Sequence, residues 1–231
     1  MTILGLPPSA AFHSEHHEAR RPSSQTTSGL RSFPLSAYPG TKMHTNSYGQ
    51  VIWLFGLSGA GKTTLACKLG SQWRLLSGIC PLMLDGDRLR AGLCRDLGHS
   101  DDGRQESLRR AAEVARVAIE SGINVVAAFM TPRESQRRLV RDIIGSTHVA
   151  LVHVYAPLEV CRIRDPKGLY SLADRGLLRN LPGVDAPFET PVLRDCVVNT
   201  ERAELEKSFA ELCEFAKGRF VTSPARTGLE P

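Results

Sequence analysis

Apolar and polar positions along this chain alternate between two periods. Val51 to Phe55 is an unbroken apolar run that stops at Gly56, and Ile123 to Phe129 and Val149 to Tyr155 are runs of the same kind. Short continuous apolar stretches bounded by turn residues predict strands buried on both faces. Pro81 to Leu84 predicts a shorter buried strand, and Cys196 to Val198 a final one. Between them the period changes to that of a helix. Arg104 to Ser121 places Leu108, Ala111, Ala112, Ala115, Ala118 and Ile119 on one helical face, with Gly122 positioned to end the helix. Helices are also predicted over Lys62–Trp73, Arg133–Ile144 and Glu201–Lys217. Strands alternating with amphipathic helices imply a three-layer α/β/α fold, a mainly parallel sheet with helices on both faces, whose ligands bind beyond the strands' carboxyl ends.

Outside that alternation the pattern fades. Residues 1–49 are rich in Ser, Pro, Thr, Gly and His without a period, and read as a disordered leader or as an over-extended start, with Met43 the alternative beginning. Arg20, Arg21 and Arg31 beside several serines resemble a transit peptide, against which stand Glu15 and Glu18. The domain is expected over 50–217 and a flexible tail over 218–231. No apolar run approaches the roughly 20 residues of a membrane span, so no membrane partner is expected.

The first candidate chemistry follows the first strand. Gly56, Gly61, Lys62 and Thr63 match G-x-x-x-x-G-K-[ST] between a strand and a helix. Such a P-loop curls so that backbone N–H groups converge on phosphate, with the helix N-terminus behind them. Gly56, Ser58, Gly59, Ala60, Gly61, Lys62, Thr63 and Thr64 are therefore candidates for binding a nucleoside triphosphate. Lys62 supplies a point charge to the outer phosphates, and Thr63 a hydroxyl for Mg²⁺. After the second strand, Leu84 to Arg90 reads LDGDRLR. Asp85 is the candidate catalytic base toward a substrate hydroxyl. Asp87 is a second candidate, through magnesium-bound waters or Arg90, and it is equally placed to N-cap the helix expected from Arg88.

Composition narrows the partners. Apolar residues make 42% of the chain and charged ones 23%, ordinary for a globular protein. The net charge of +5, without a groove of aromatics and clustered lysines, points to phosphorylated small molecules rather than nucleic acid. Six scattered cysteines form no C-x-x-C pair, so no metal-thiolate site is expected, and reduced thiols in a cytoplasmic protein are the default. The segment from Arg164 to Pro191, punctuated by glycines and prolines yet carrying Leu169, Tyr170, Leu177, Leu178, Leu181, Val184 and Phe188, reads as an active-site lid.

Together GLSGAGKTT, LDGDRLRAGLCRDLGHS, DGRQESLRRAAEVAR, AAFMTPRESQR, PLEVCRIRDPKGLYSLADRG and NLPGVDAPFETP resemble the adenylylsulfate kinase family over about residues 50–200. The resemblance implies a P-loop NTPase fold and transfer of the ATP γ-phosphate to the 3′-hydroxyl of adenosine 5′-phosphosulfate, giving 3′-phosphoadenosine 5′-phosphosulfate. It matches Asp85 to the family's proposed base, and Arg90 and Arg104 to arginines that hold the phosphosulfate. It also matches Lys167, Gly168 and Leu169 to lid residues, and keeps a hydroxyl at Thr131. A homodimer and association with a sulfate adenylyltransferase are further implications. The chain departs from the family pattern where Arg88, Cys94, His99 and Ser107 stand, and where a Tyr-Arg pair has become Arg133-Glu134. These changes raise two alternatives: a related kinase for another nucleotide, and a catalytically weak nucleotide-binding module.

Overall fold

The computed structural model describes residues 48–202 and 205–220, all within the unit Met43–Pro231. The expected leader up to residue 47, the Met43 start and the tail from residue 221 lie outside the described residues. The apolar runs form β1 (Val51–Phe55), β2 (Leu82–Asp85), β3 (Val125–Phe129), β4 (Val149–Tyr155) and β5 (Cys196–Asn199). They lie in the order β2-β3-β1-β4-β5, every pairing parallel, with Val51 opposite both Val125 and Val149.

Because side chains alternate across a strand, β1 feeds two cores. Ile52 and Leu54 join Leu65, Leu69, Val126, Val152 and Leu212 on one face. Val51, Trp53 and Phe55 join Leu108, Ala112, Val140 and Leu151 on the other. The first face is covered by α1 (Lys62–Ser77) and α7 (Leu205–Lys217), the second by α3 (Asp101–Glu120) and α4 (Glu134–Ile144). Burying each large apolar side chain contributes roughly 1.5–3 kcal/mol, which fits the unbroken apolar runs of β1 and β3.

Most boundaries follow the periodicity, and the differences have local causes. α1 runs four residues past Trp73 to Ser77, where Gly78 ends it at φ 73°; the exposed Leu75 and Leu76 had hidden that last turn. α3 starts at Asp101 because Ser100 caps it, its side chain accepting from the Gly103 N–H. Two short helices were not anticipated, α5 (Leu158–Arg164) and α6 (Leu169–Asp174), and α2 (Gly86–Arg90) starts two residues before the expected Arg88. The cap of α2 also corrects an expectation. Asp85, not Asp87, is the N-cap, accepting from the Asp87 and Arg88 N–H groups at 3.0 and 3.4 Å.

In the parallel sheet Phe55, Asp85, Phe129, Tyr155 and Asn199 all end at the same edge. From β1 the chain crosses to β2 on one side and later to β4 on the other, so the order switches at β1. A crevice opens beyond such a switch point. No helix among the described residues is long and apolar enough to cross a membrane.

Candidate active site

The loop between β1 and α1 is shaped by close approaches. Gly56 sits at φ 152°, where an added Cβ would meet the Val154 carbonyl oxygen at 2.2 Å. Gly59, at φ 76°, would meet the Cys161 oxygen at 2.8 Å. Only glycine allows both the backbone conformation and the contact. The lid side holds the loop from outside: the buried Tyr170 hydroxyl donates to the Ser58 carbonyl at 3.0 Å, and Arg164 donates to the Gly59 carbonyl at 3.3 Å. Gly61, the N-cap of α1, contributes no side chain to the helix's first N–H groups. Those donors are directed at the cleft, where an anion satisfies them.

The cleft has a volume of about 880 Å³. It brings together Ser58, Gly59, Gly61, Lys62, Thr63 and Thr64 from the loop, Asp85 and Asp87 beyond β2, and Arg90, Arg104, Thr131, Lys167 and Leu169. Gly56, Ala60 and Gly168 do not line it. Gly56 and Ala60 are buried, shaping the loop from behind, and Gly168 sets the left-handed start of α6 at φ 66°.

Lys62 donates to the Leu57 carbonyl at 2.6 Å. Burial lowers its pKa to about 8, helped by the Lys167 charge and opposed by Asp87 and Asp85. Thr63 donates its hydroxyl proton to Asp85 at 2.8 Å. Lys167 reaches from the lid to pair with Asp87. Arg90 is braced by the Leu97 and Gly98 carbonyls at 3.3 and 3.0 Å, and Arg104 by the Asn180 carbonyl at 3.0 Å. Burial, and then Arg90, push the Arg104 pKa down, with Asp101 opposing. Two guanidiniums facing one cavity with so little local compensation suit a bound polyanion.

Arg109 and Arg110 are engaged elsewhere: both bind Glu106, and Arg110 also binds Asp96 at 2.7 Å. Thr131 borders the cleft without exposed surface, its hydroxyl accepting from the Trp53 indole at 3.0 Å. Arg164, Arg179, Asn180 and Thr200 also line the cleft and were not singled out from the sequence. For the first three the only advance signal was the lid's mixture of arginine with turn residues; Thr200, just after β5, had none. Within the lid, Tyr170 and Leu181 are buried, Leu169, Leu178 and Phe188 pack against the cores, and Leu177 and Val184 remain exposed.

The family model described as adenylylsulphate kinase matches residues 48–199. This chain belongs to the adenylylsulphate kinase family. An adenylyl-sulfate kinase of Erwinia tasmaniensis is 46% identical over 154 residues, 67% of this chain and 76% of that protein. One from Shewanella amazonensis is 41% identical over 167 residues, 72% of this chain and 84% of the relative. Among solved structures, the Mycobacterium tuberculosis APS kinase in complex with AMPPNP and APS is 33% identical. It has a TM-score of 0.69, covering 74% of this chain and 98% of that one.

Within this adenylylsulphate kinase fold, the positions that break the family pattern do not all face the cleft. His99 and Ser107 line it. Cys94 is fully buried, its N–H donating to the Leu89 carbonyl at 2.8 Å. Arg88 is exposed outside it. Arg133 pairs with Asp101 and, at 3.7 Å, with Glu189. Neither Arg88 nor Arg133 lines the cleft. Partial burial, then Arg90 and Arg104, lower the His99 pKa, with Asp87 opposing, which favours the neutral imidazole.

Proposed function

We propose that this chain transfers the γ-phosphate of ATP to the 3′-hydroxyl of adenosine 5′-phosphosulfate, with Asp85 as general base. The observation that carries this reading is the convergence on one cleft of the Lys62–Thr63 loop, the Asp85–Asp87 pair, Arg90 with Arg104, and the lid's Lys167. Family membership and the adenylyl-sulfate kinase relatives support it.

The residues divide the work by charge. Loop N–H groups and Lys62 hold the triphosphate, while Arg90 and Arg104 hold the phosphosulfate with planar donor forks. Asp85 already accepts from Thr63, Asp87 N and Arg88 N. A carboxylate has about four lone-pair sites, which leaves one for the acceptor hydroxyl. As that oxygen attacks the γ-phosphorus, its proton passes to Asp85 and ADP leaves. Lys167, Gly168 and Leu169 close over the nucleotides and limit access of water, the competing acceptor.

Thr63 and Asp85 are hard oxygen donors 2.8 Å apart, and no group of three or more His, Cys, Asp or Glu among the described residues could hold a metal ion. A site with few protein ligands suits Mg²⁺, which keeps waters and takes phosphate oxygens. Thr63 would hold it, its hydroxyl oriented by Asp85, and when bound it would neutralise charge on the phosphoryl oxygens.

Incubation with Mg-ATP and adenylylsulfate tests the reading: 3′-phosphorylated product is expected, and no product over a broad pH range overturns it. His99 and Ser107 in the cleft favour a second reading, another nucleotide as acceptor, which a nucleotide screen separates from the first. A domain over 50–217 with a leader before it, a homodimer, association with a sulfate adenylyltransferase and a cytoplasmic location belong to the same proposal. They are supported by the sequence pattern and the family resemblance, and are open to truncation, gel filtration and fractionation.

A further inference from the structure

Thr131 carries an unusual backbone for a β-branched residue. Its φ is 42°, in the left-handed region, and it has no exposed surface. Such a conformation persists where its surroundings over-determine it. Two clamps do so here: the Trp53 indole donates to the Thr131 hydroxyl at 3.0 Å, and Arg137 donates through Nη1 to the Thr131 carbonyl at 2.9 Å.

Arg137 is itself fully buried, an uncommon place for a guanidinium. Nε donates to Glu134 at 2.9 Å, Nη2 to the Glu189 carbonyl at 3.2 Å, and the planar group lies 5.3 Å from the Phe55 ring centre. Glu134 is thus the counter-charge of Arg137, and it stands at one of the positions where the chain leaves its family pattern. Glu134 also accepts from the Val192 and Leu193 N–H groups at 3.2 and 3.0 Å. Glu189 completes the junction, its N–H donating to the Pro132 carbonyl at 2.9 Å and its carboxylate accepting from Glu134 N at 2.6 Å. The segment by which the lid returns to the sheet is therefore fastened to the turn that carries Thr131, and Arg137 touches both.

We propose that Arg137 is a positioning residue for the acceptor half of the cleft, locking the left-handed Thr131 floor to the Glu189 root of the lid. The inference rests on the acceptor assignment above. Lysine at this position keeps the charge but, as a point donor, cannot span three acceptors in one plane.

The test uses Arg137→Lys and, should that variant fold poorly, Glu189→Ala, which loosens the same junction from the surface. The chain has two tryptophans, so ¹⁵N-labelled protein gives two indole N–H resonances. In both variants the Trp53 resonance is expected to shift while that of Trp73 stays. The KM for adenylylsulfate should rise about tenfold in Arg137→Lys, with the KM for ATP within about twofold of wild type. An unmoved Trp53 resonance overturns the proposal, as does an equal rise in both KM values, which marks a general loosening. If the wild-type protein does not phosphorylate adenylylsulfate, the functional reading fails, and the resonances still decide the role of Arg137.

Discussion

The Thr63 hydroxyl donates to the Asp85 carboxylate at 2.8 Å, joining the donor loop at the end of β1 to the candidate base at the end of β2. The same carboxylate caps α2. A substitution at Asp85 therefore tests base chemistry cleanly only if the cap survives. Asparagine caps about as well as aspartate, so Asp85→Asn should melt within about 1 kcal/mol of wild type. Turnover should fall about a hundred- to ten-thousand-fold, while ATP still binds. Turnover within tenfold of wild type would remove Asp85 from the role of base.

Lys62 sets a pH dependence of its own. Its pKa is lowered from 10.5 to about 8, so between those values the unfolded chain binds a proton that the folded chain has released. Stability from this group therefore rises with pH across that window, because the folded state no longer holds a desolvated charge. Nucleotide binding runs the other way. Triphosphate favours the charged amine, so above about pH 8 affinity should weaken, by at most about tenfold per pH unit for one linked proton. Titrations of ATP at rising pH check this. In Lys62→Ala the weakening should vanish and affinity should be poor at every pH; a slope retained in that variant assigns the titration to another group.

These two residues were legible in the sequence because the P-loop and the strand ends each have a short-range signature. β1 and β4 match their expected bounds because a continuous apolar run can satisfy both faces only inside a sheet. What escaped was non-local. The exchange of the α2 cap from Asp87 to Asp85 depends on a helix that starts two residues earlier than the spacing suggested. Arg137 looks in sequence like any arginine on a polar helix face. Its burial depends on Glu134 and on the carbonyls of Thr131 and Glu189, the last of these 52 residues away in sequence. Likewise α5 and α6 are each too short to show a period, and they hold their places through Tyr170 on Ser58 and Arg164 on Gly59.

His99 offers a direct probe of acceptor choice. It lines the cleft beside Arg90 and Arg104, whose charges help keep it neutral, and a neutral imidazole stacks on a purine less extensively than a benzyl ring. A single aromatic contact is worth about 0.5–1.5 kcal/mol, so His99→Phe should lower the KM for adenylylsulfate about 2- to 10-fold. The KM for ATP should not move. An unchanged acceptor KM would mean that the base lies away from this side chain, and would turn attention to Ser107.

Lys167 pairs with Asp87 across the cleft, both side chains well exposed. An ion pair in that setting contributes about 0–1 kcal/mol to stability, so its value lies in where it puts the lid. Lys167→Ala should leave the melting temperature nearly unchanged yet raise the KM for ATP and lower kcat, each by about tenfold, because closure loses its cationic contact with the phosphates. Asp87→Asn separates the two roles of the pair. If Asp87 only parks the lysine, freeing Lys167 should hold or improve ATP affinity; if Asp87 also orients magnesium-bound waters or Arg90, turnover should fall with Lys167 intact. Steady-state kinetics on the two single variants and the double variant resolve this. Strictly additive losses in free energy would show that the two residues act independently and that their contact has no catalytic consequence.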